Sequence, residues 1–144
     1  MRQFYIVIAI LLFTTSYSQK TEIAEVHFYG NSCFGNCPVF EMRIKKNGEA
    51  IYNAVMYNKL SGLFTTTIKK SQINDLLKLL EKAEFLSLKK NYSTTASDGA
   101  TYDLKVTLKD GEIKTIEDYG PSGPGNLKLV YDFIFSLRES QNWK

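Results

Sequence analysis

The amino-acid sequence predicts an α+β domain in which an antiparallel sheet of about six strands carries two helices on one face. Three observations lead to this prediction: runs of alternating apolar and polar residues, Asn-Gly and Asp-Gly dipeptides between such runs, and two stretches whose apolar residues recur at helical spacing. The element order is β-β-β-β-α-β-β-α. Consecutive strands joined by tight turns imply antiparallel pairing, and two one-faced helices imply that both cover the same side of the sheet.

The first four strands are predicted from alternation and from one turn. Residues 26–28 and 40–45 alternate between apolar and polar side chains, which is the period of a half-buried strand. The Asn-Gly dipeptide at 47–48 tolerates the positive φ angles of a type I′ turn, so residues 49–57 are expected to return antiparallel to the strand before them. The threonine-rich residues 63–68 predict a fourth strand.

A helix, a second hairpin and a closing helix follow. Ser71 is suited to cap a helix that ends near Phe85, and the apolar positions of this helix lie on one face. Residues 101–108 alternate and are turned back by an Asp-Gly dipeptide, and Pro124 suits the first turn of the closing helix. The apolar phases of these elements predict a core that includes Phe40, Ile44, Leu76, Leu80, Leu104, Val106, Val130 and Ile134.

The N-terminal residues have the pattern of a cleaved signal peptide at 1–18. Arg2 supplies a positive charge and residues 4–13 are apolar. The Ser-Tyr-Ser sequence at 16–18 places small residues at the positions that signal peptidase recognises before its cleavage site. An apolar run of about ten residues is roughly half of what spans a bilayer. The sequence therefore predicts a secreted or periplasmic chain with a single domain at 19–144 and no membrane span after cleavage.

Composition and charge favour one folded domain and argue against nucleic acid as a partner. The mature chain would have about 126 residues, which is enough for one core. The sequence carries 18 Lys and Arg against 15 Asp and Glu, and its lysines are scattered. No continuous basic surface is therefore predicted. Abundant Tyr and Phe beside three prolines are typical of a folded chain.

The two cysteines lie in the motif Cys-Phe-Gly-Asn-Cys-Pro-Val-Phe, which starts at Cys33. This motif, followed by an alternating strand and Asn-Gly, resembles the opening signature of a bacterial family, Domain of Unknown Function 6438, and the similarity extends over about residues 23–143. Phe40 stands where the family commonly has Tyr, and Ala100 stands where Pro is expected. The resemblance implies a compact α+β fold, and it implies no activity.

Cys33 and Cys37 are predicted to form a structural disulfide. Fully extended, residues four apart would hold their Cα atoms roughly 13 Å apart, so a bridge needs a turn between them. Gly35 permits that turn, and Pro38 favours release of the chain into the next strand. In an exported protein the oxidised state is the default. A disulfide that closes so short a loop is expected to stabilise the fold by about 2 kcal/mol on the entropic model.

Two other uses of the cysteines stay open as alternatives. Cys-x-x-x-Cys-Pro is also the motif by which thioredoxin-like copper-delivery proteins hold Cu(I), with a distant histidine as a further ligand. Here Cys33, Cys37 and His27 would be the ligands, although strands rather than a thioredoxin-like helix flank the motif. Thiol redox exchange would need a thiol pKa lowered by a helix N-terminus or a nearby cation, and the flanking sequence supplies neither.

Catalytic chemistry has little support in the sequence. A serine or cysteine nucleophile needs a histidine base held by a third group, and His27 is the only histidine. The acidic residues of the hairpins, such as Asp103 and Asp118, are typical of turns and solvated strands. No catalytic residue, no cofactor and no nucleic-acid partner is predicted.

The polar connection at residues 89–100 is the best candidate for a recognition loop, because connections of about a dozen residues are uncommon inside compact domains. Tyr92 offers an aromatic ring, and Thr95, Ser97 and Asp98 offer hydrogen-bonding groups. Residues 120–126 are expected to contribute as a second polar excursion. The sequence thus predicts a non-catalytic binding or envelope-associated domain whose partner is an envelope or extracellular protein or ligand.

Overall fold

The structure, a computed structural model, describes residues 21–144. The predicted signal peptide lies outside the described residues. The strands are β1 (Ile23–Gly30), β2 (Val39–Lys45), β3 (Glu49–Met56), β4 (Gly62–Thr67), β5 (Asn91–Tyr92), β6 (Thr101–Leu108) and β7 (Ile113–Tyr119). The helices are α1 (Lys70–Lys82) and α2 (Gly125–Ser140), and a 3₁₀ turn lies at Phe85–Ser87.

The strands form one sheet in the order β4-β3-β2-β1-β6-β7-β5. Two features of the predicted sheet were wrong: it has seven strands rather than about six, and it is mixed rather than purely antiparallel, because β5 pairs parallel with β7. The extra strand, Asn91–Tyr92, lies inside the predicted loop at residues 89–100. Two residues are too few for alternation to appear in a sequence, which is why the pattern did not indicate it.

Both predicted hairpins are present, but their turns are not of type I′. Gly48 has φ of +95° and Gly111 has φ of +92°, whereas Asn47 keeps a negative φ. Each glycine donates its N–H to the carbonyl three residues earlier, Gly48 to Lys45 at 2.9 Å and Gly111 to Leu108 at 3.0 Å. This is the longer hairpin loop in which a left-handed glycine follows an ordinary turn.

The helices differ from prediction at their ends. Helix α1 begins one residue before Ser71, its N-cap is Lys69, and no side chain caps it. It ends at Lys82, before the 3₁₀ turn that contains Phe85. Pro124 is the N-cap of α2 rather than its first residue. Helix ends are set by local backbone bonds that sequence patterns locate poorly.

The core lies between one face of the sheet and the two helices. Alternate residues of β1, β2, β3, β6 and β7 point into it, together with the apolar faces of α1 and α2. All eight predicted core residues are buried. Phe28, at the centre of β1, packs against the rings of Phe40, Tyr102, Tyr131 and Phe135.

The C-terminal residues return along the outer edge of β4. The Trp143 ring stacks near Tyr52, and its Nε1–H donates to the Arg138 carbonyl at 2.9 Å. Lys144 and Thr65 exchange both backbone hydrogen bonds, at 2.8 and 3.0 Å. The tail therefore covers part of an edge strand that would otherwise be unpaired.

Candidate recognition site

The two ends of the sheet are built differently. One end, called here the turn end, holds the two tight hairpin turns near residues 46–48 and 109–112. The other, called here the loop end, holds the four longer connections at residues 31–38, 57–61, 93–100 and 120–124. Both predicted recognition segments run to the loop end.

Hydrogen bonds fix all four connections to other parts of the chain at the loop end. The Asn58 side chain donates to the Val39 carbonyl at 2.7 Å, which links the β3–β4 connection to the start of β2. The Asn31 N–H donates to the Thr101 carbonyl at 2.9 Å, and the Gly120 N–H donates to the Ala100 carbonyl at 2.8 Å. Each connection at the loop end is thus fixed to another connection or to the first residue of a strand.

Asp118 organises the connection between β7 and α2. Its side chain is 1% exposed, and Oδ1 accepts hydrogen bonds from the backbone N–H groups of Ser122 at 2.7 Å and Gly123 at 3.2 Å. Oδ2 accepts the Tyr131 hydroxyl at 3.2 Å. Burial, with the Asp118 charge, raises the pKa of Tyr131 well above its usual range, so the hydroxyl keeps its proton and donates. The carboxylate thus holds the connection between β7 and α2 in place.

Sequence reasoning missed this role of Asp118, although a signal exists. Asp118 and Ile116 share the helix-facing phase of β7. A charged residue on the apolar phase of a strand must be satisfied by nearby donors, and the following Ser-Gly pair supplies them.

The two predicted recognition segments are packed together. A Cβ added to Gly120, whose φ is +64°, would lie 2.5 Å from the Thr94 methyl group, and one added to Gly99 would lie 2.6 Å from the Gly120 Cα. The close approach of these chains therefore requires glycine at both places.

Tyr92 and its predicted companions take different positions. The Tyr92 ring packs against the core and its hydroxyl accepts the Lys89 N–H at 3.1 Å, so the ring anchors the loop. Thr95, Ser97 and Asp98 are exposed, and Ser97 donates to Asp98 at 3.0 Å. The hydrogen-bonding groups that face solvent are thus those of residues 95–98.

The predicted disulfide between Cys33 and Cys37 is present, with the two Cα atoms 5.6 Å apart. The turn between them is closed by the Gly35 N–H, which donates to the Cys33 carbonyl at 2.9 Å. Phe34, between the cysteines, is 91% exposed. An aromatic ring so fully in water on a cross-linked loop is unusual, because large apolar residues are normally at least partly covered.

His27 lies on the sheet face opposite the helices, opposite Arg43 on β2 and Lys105 on β6. Its Nε2 is 2.8 Å from Glu41 Oε1, an ion-pair distance without hydrogen-bond geometry. Burial opposes ionisation of Glu41, but the Arg43 hydrogen bond and the electrostatic interactions with His27 and Arg43 hold its pKa below the ordinary value. Within residues 21–144 no three His, Cys, Asp or Glu side chains gather as a metal site would require.

The open sheet face also carries two carboxyl groups side by side. Asp103 on β6 is paired in register with Glu117 on β7. Burial and the Glu117 charge raise the pKa of Asp103. Like charges directly opposite each other across a ladder are unfavourable.

Several exposed apolar residues near the loop end were not predicted. They are Phe34 of the cysteine loop and five residues of the β3–β4 hairpin: Val55, Met56, Tyr57, Leu60 and Leu63. Tyr57 also has φ of +56°, which is uncommon for a bulky residue. In the sequence, Phe34 between the two cysteines of a polar segment could have indicated an exposed apolar side chain.

The fold and the loop end define a one-core α+β domain whose loops are braced by a disulfide and by a buried carboxylate. The family model described as Domain of unknown function (DUF6438) matches residues 24–138, and the chain belongs to this family. The resemblance seen in the cysteine motif is thereby confirmed. No curated protein matches the chain.

Among residues 21–144, neither helix combines the length and the apolar character that crossing a bilayer demands.

Proposed function

We propose that this protein is an exported, non-catalytic binding domain that recognises an envelope or extracellular partner through its loop end. One observation carries the proposal: four connections meet at one end of the sheet, and each is hydrogen-bonded to another connection or to the first residue of a strand, from Asn58 to Val39, Asn31 to Thr101 and Gly120 to Ala100. Rigid scaffolds commonly present recognition residues on such loops.

Export is supported by two independent features. The first is the signal-like pattern of residues 1–18, a positive charge followed by a short apolar run and small residues. The second is the Cys33–Cys37 disulfide, because disulfides persist in oxidising compartments and are rare in the cytosol. We expect protein isolated from cells to start at Gln19, and intact-mass measurement that finds Met1 retained would contradict export by cleavage.

The recognition residues we propose are Thr95, Ser97 and Asp98, with Tyr92 as the anchor that holds their loop. Their side chains face solvent, and the loop that carries them packs against Gly120 through Thr94. A preorganised loop loses little conformational entropy on binding. The partner chemistry that fits is one of hydrogen-bond donors and acceptors.

The redox or copper reading of Cys33 and Cys37 gains no support from the surroundings of the loop. Residues 31–38 contain no charged side chain, and neither α1 nor α2 begins there. Both devices that lower a thiol pKa are therefore missing from this segment.

Site-specific photo-crosslinking in the native host tests the proposal. A photoreactive residue replaces Thr95 at the loop end, and a matched control replaces Glu112, an exposed residue of the turn end. We expect a discrete crosslinked species from position 95 and none from position 112. Alanine at Ser97 and Asp98 should reduce that species while leaving the melting temperature unchanged. Equal crosslinking from both positions, or none from position 95, would contradict the proposal.

A further inference from the structure

We propose that the open face of the sheet, the face opposite the helices, is a self-association surface through which two copies of this chain form a two-fold symmetric dimer. The two-fold axis would run across the strands, between two rows of oppositely charged residues. The inference goes beyond the proposed function, because it concerns the side chains of the sheet and not the loop that carries residues 95–98.

The open face is one continuous surface. Alternate residues of each strand point to this face, and the strand register aligns them in rows across the sheet. The row nearer the loop end, called here the acidic row, holds Asn53, Glu41, Tyr29, Asp103 and Glu117. The next row, called here the basic row, holds Ile51, Arg43, His27, Lys105 and Thr115. Adjacent strands are about 4.8 Å apart, so neighbours in a row interact directly.

Charge is separated by sign between the two rows. The acidic row carries carboxylates on β2, β6 and β7, whereas the basic row carries Arg43 and Lys105 on either side of His27. Asp103 is therefore directly opposite Glu117, and burial together with the Glu117 charge raises the pKa of Asp103. Like charges opposite each other across a ladder are unfavourable, and mixing the signs within each row would avoid this cost.

The charged residues of β6 and β7 are not neutralised by neighbours. Glu41 lies 2.8 Å from Arg43, but no ion pair among residues 21–144 includes Asp103, Lys105 or Glu117. Asp103 and Lys105 are two residues apart on β6, and both are half-buried on the same face. The strand thus presents a carboxylate and an ammonium group side by side, each available to a partner.

A two-fold axis between the rows makes this face complementary to itself. When a second copy is turned about that axis, each residue of one row meets the residue two positions along the same strand in the other copy. Asp103 then faces Lys105 of the second copy, and Lys105 faces its Asp103. Glu41 and Arg43 face each other in the same way. Four contacts between opposite charges replace the like-charge neighbours of the free chain.

The charges disfavour the other symmetric arrangements. An axis parallel to the strands along β1 would bring β2 of one copy onto β6 of the other, so Glu41 would face Asp103 and Arg43 would face Lys105. An axis along either row would place each charge on its own image. A different protein would have to carry the same two charged rows, which a second copy supplies without any further requirement.

The size of the face suits a weak dimer. Six strands about 4.8 Å apart and about seven residues long cover roughly 600 Å². Two such faces bury about 1,200 Å² in total, the lower limit for stable complexes. The face also carries exposed apolar side chains that a second sheet would cover: Ile51, Val55, Leu63 and Ile113. We therefore expect association between micromolar and millimolar concentration.

Exchange of the two charges on β6 tests the inference by sedimentation velocity on residues 19–144 with the disulfide intact. We expect the wild type to show a reversible monomer–dimer equilibrium that weakens in high salt. Asp103→Lys and Lys105→Asp should each weaken it by about tenfold or more, because each places like charges across the contact. The double variant restores opposite charges and should regain most of the wild-type affinity.

The matched control is the same exchange on α1, which covers the other side of the sheet. Asp75 and Lys78 are exposed there, so Asp75→Lys and Lys78→Asp change the net charge as the β6 variants do. Neither control variant should change the equilibrium by more than its net charge does in high salt. Circular dichroism of every variant checks that the fold is retained.

Four results would overturn the inference. The wild type could remain monomeric throughout, neither β6 single variant could weaken the dimer, the double variant could be as weak as the single ones, or the α1 exchange could weaken it equally. A monomeric wild type whose photoreactive residue at position 115 crosslinks a different protein would assign the open face to that protein instead. Normal crosslinking from position 95 alongside a monomeric wild type would overturn self-association while leaving the proposed function standing.

Discussion

The turn end and the loop end of the sheet are stabilised by different means. At the turn end, charged side chains surround short turns: Lys109 Nζ is 3.0 Å from a Glu22 carboxylate oxygen, Lys46 Nζ is 3.5 Å from the other, and Lys45 pairs with Glu49 at 2.7 Å. At the loop end, the connections are nearly free of charged side chains on their surface. There the buried carboxylate of Asp118 and the Cys33–Cys37 disulfide hold the chain from within.

This difference separates the features that stabilise the fold from those that do not. Surface ion pairs and Asx-Gly turns are ordinary ways to finish a hairpin. An exposed Phe34 and a left-handed, half-exposed Tyr57 are not favourable features of a folded chain in water. The loop end thus combines rigid internal support with an outer surface that is unfavourable in water, which is the combination expected of a binding surface.

The largest expected effect compares one aspartate from each end. Asp118→Ala should lower the free energy of unfolding by about 3 kcal/mol or more, because buried donors from Ser122, Gly123 and Tyr131 lose their acceptor. Asp110→Ala, which removes one exposed bond to the Glu112 N–H, should lower it by about 1 kcal/mol or less. Urea denaturation checks both, and equal losses would contradict the contrast between the ends.

The next effect compares two glycines with positive φ. Gly120→Ala should destabilise by about 2 to 3 kcal/mol, because its Cβ would meet the Thr94 methyl group as well as strain the backbone. Gly111→Ala meets no atom within 4 Å and should lose about 1 kcal/mol from backbone strain alone. Thermal unfolding of the two variants measures the difference. A larger loss for Gly111→Ala would show that the two recognition segments are not packed together.

Loss of the disulfide should lower the free energy of unfolding by somewhat less than Gly120→Ala does. The double variant Cys33→Ser, Cys37→Ser should lose about 2 kcal/mol and keep its fold at low temperature, because the bridge closes a short loop. The outcome distinguishes a brace from a reactive centre. Stoichiometric Cu(I) binding by the reduced wild type that disappears in this variant and in His27→Ala would favour the copper reading instead.

The smallest effect concerns the turn-end ion pairs. The hydrogen bond and charge of Lys109, with the charge of Lys46, hold the pKa of Glu22 below its ordinary value. The contribution of Glu22 to the free energy of unfolding is therefore fully present above the unfolded pKa of glutamate, about 4.3. It is lost as the pH falls through the lower pKa of the folded state. Glu22→Gln should abolish this loss of stability at acid pH. It should have no measurable effect on the free energy of unfolding at neutral pH in high salt. A clear loss in high salt would mean that Glu22 acts through packing.

The elements that periodicity governs could be predicted from the sequence, and those set by single contacts could not. Phe40, Ile44, Leu80 and Ile134 were placed correctly because a strand or helix of six or more residues repeats its pattern. The strand at Asn91–Tyr92 is too short to repeat, and its parallel pairing with β7 depends on residues distant in sequence.

The candidate site divides in the same way. The cysteine pairing followed from spacing and a permissive Gly35, and the disulfide confirmed it. The anchoring of Tyr92 and the hydrogen bonds around the Asp118 carboxylate depend on contacts between residues that are distant in sequence. No local sequence pattern encodes such contacts. Signal cleavage, export and the recognition residues remain predictions.

The returning C-terminal tail has a spectroscopic consequence. Trp143 is the chain's only tryptophan, and its indole packs on Tyr52 while its N–H is bound to a backbone carbonyl. Excited selectively, it emits from one location, the junction of the tail, β3 and α2. A red shift in emission that precedes the loss of far-ultraviolet ellipticity would report release of the tail from the β4 edge before the sheet melts. The native protein thus carries its own probe of edge protection, with no label needed.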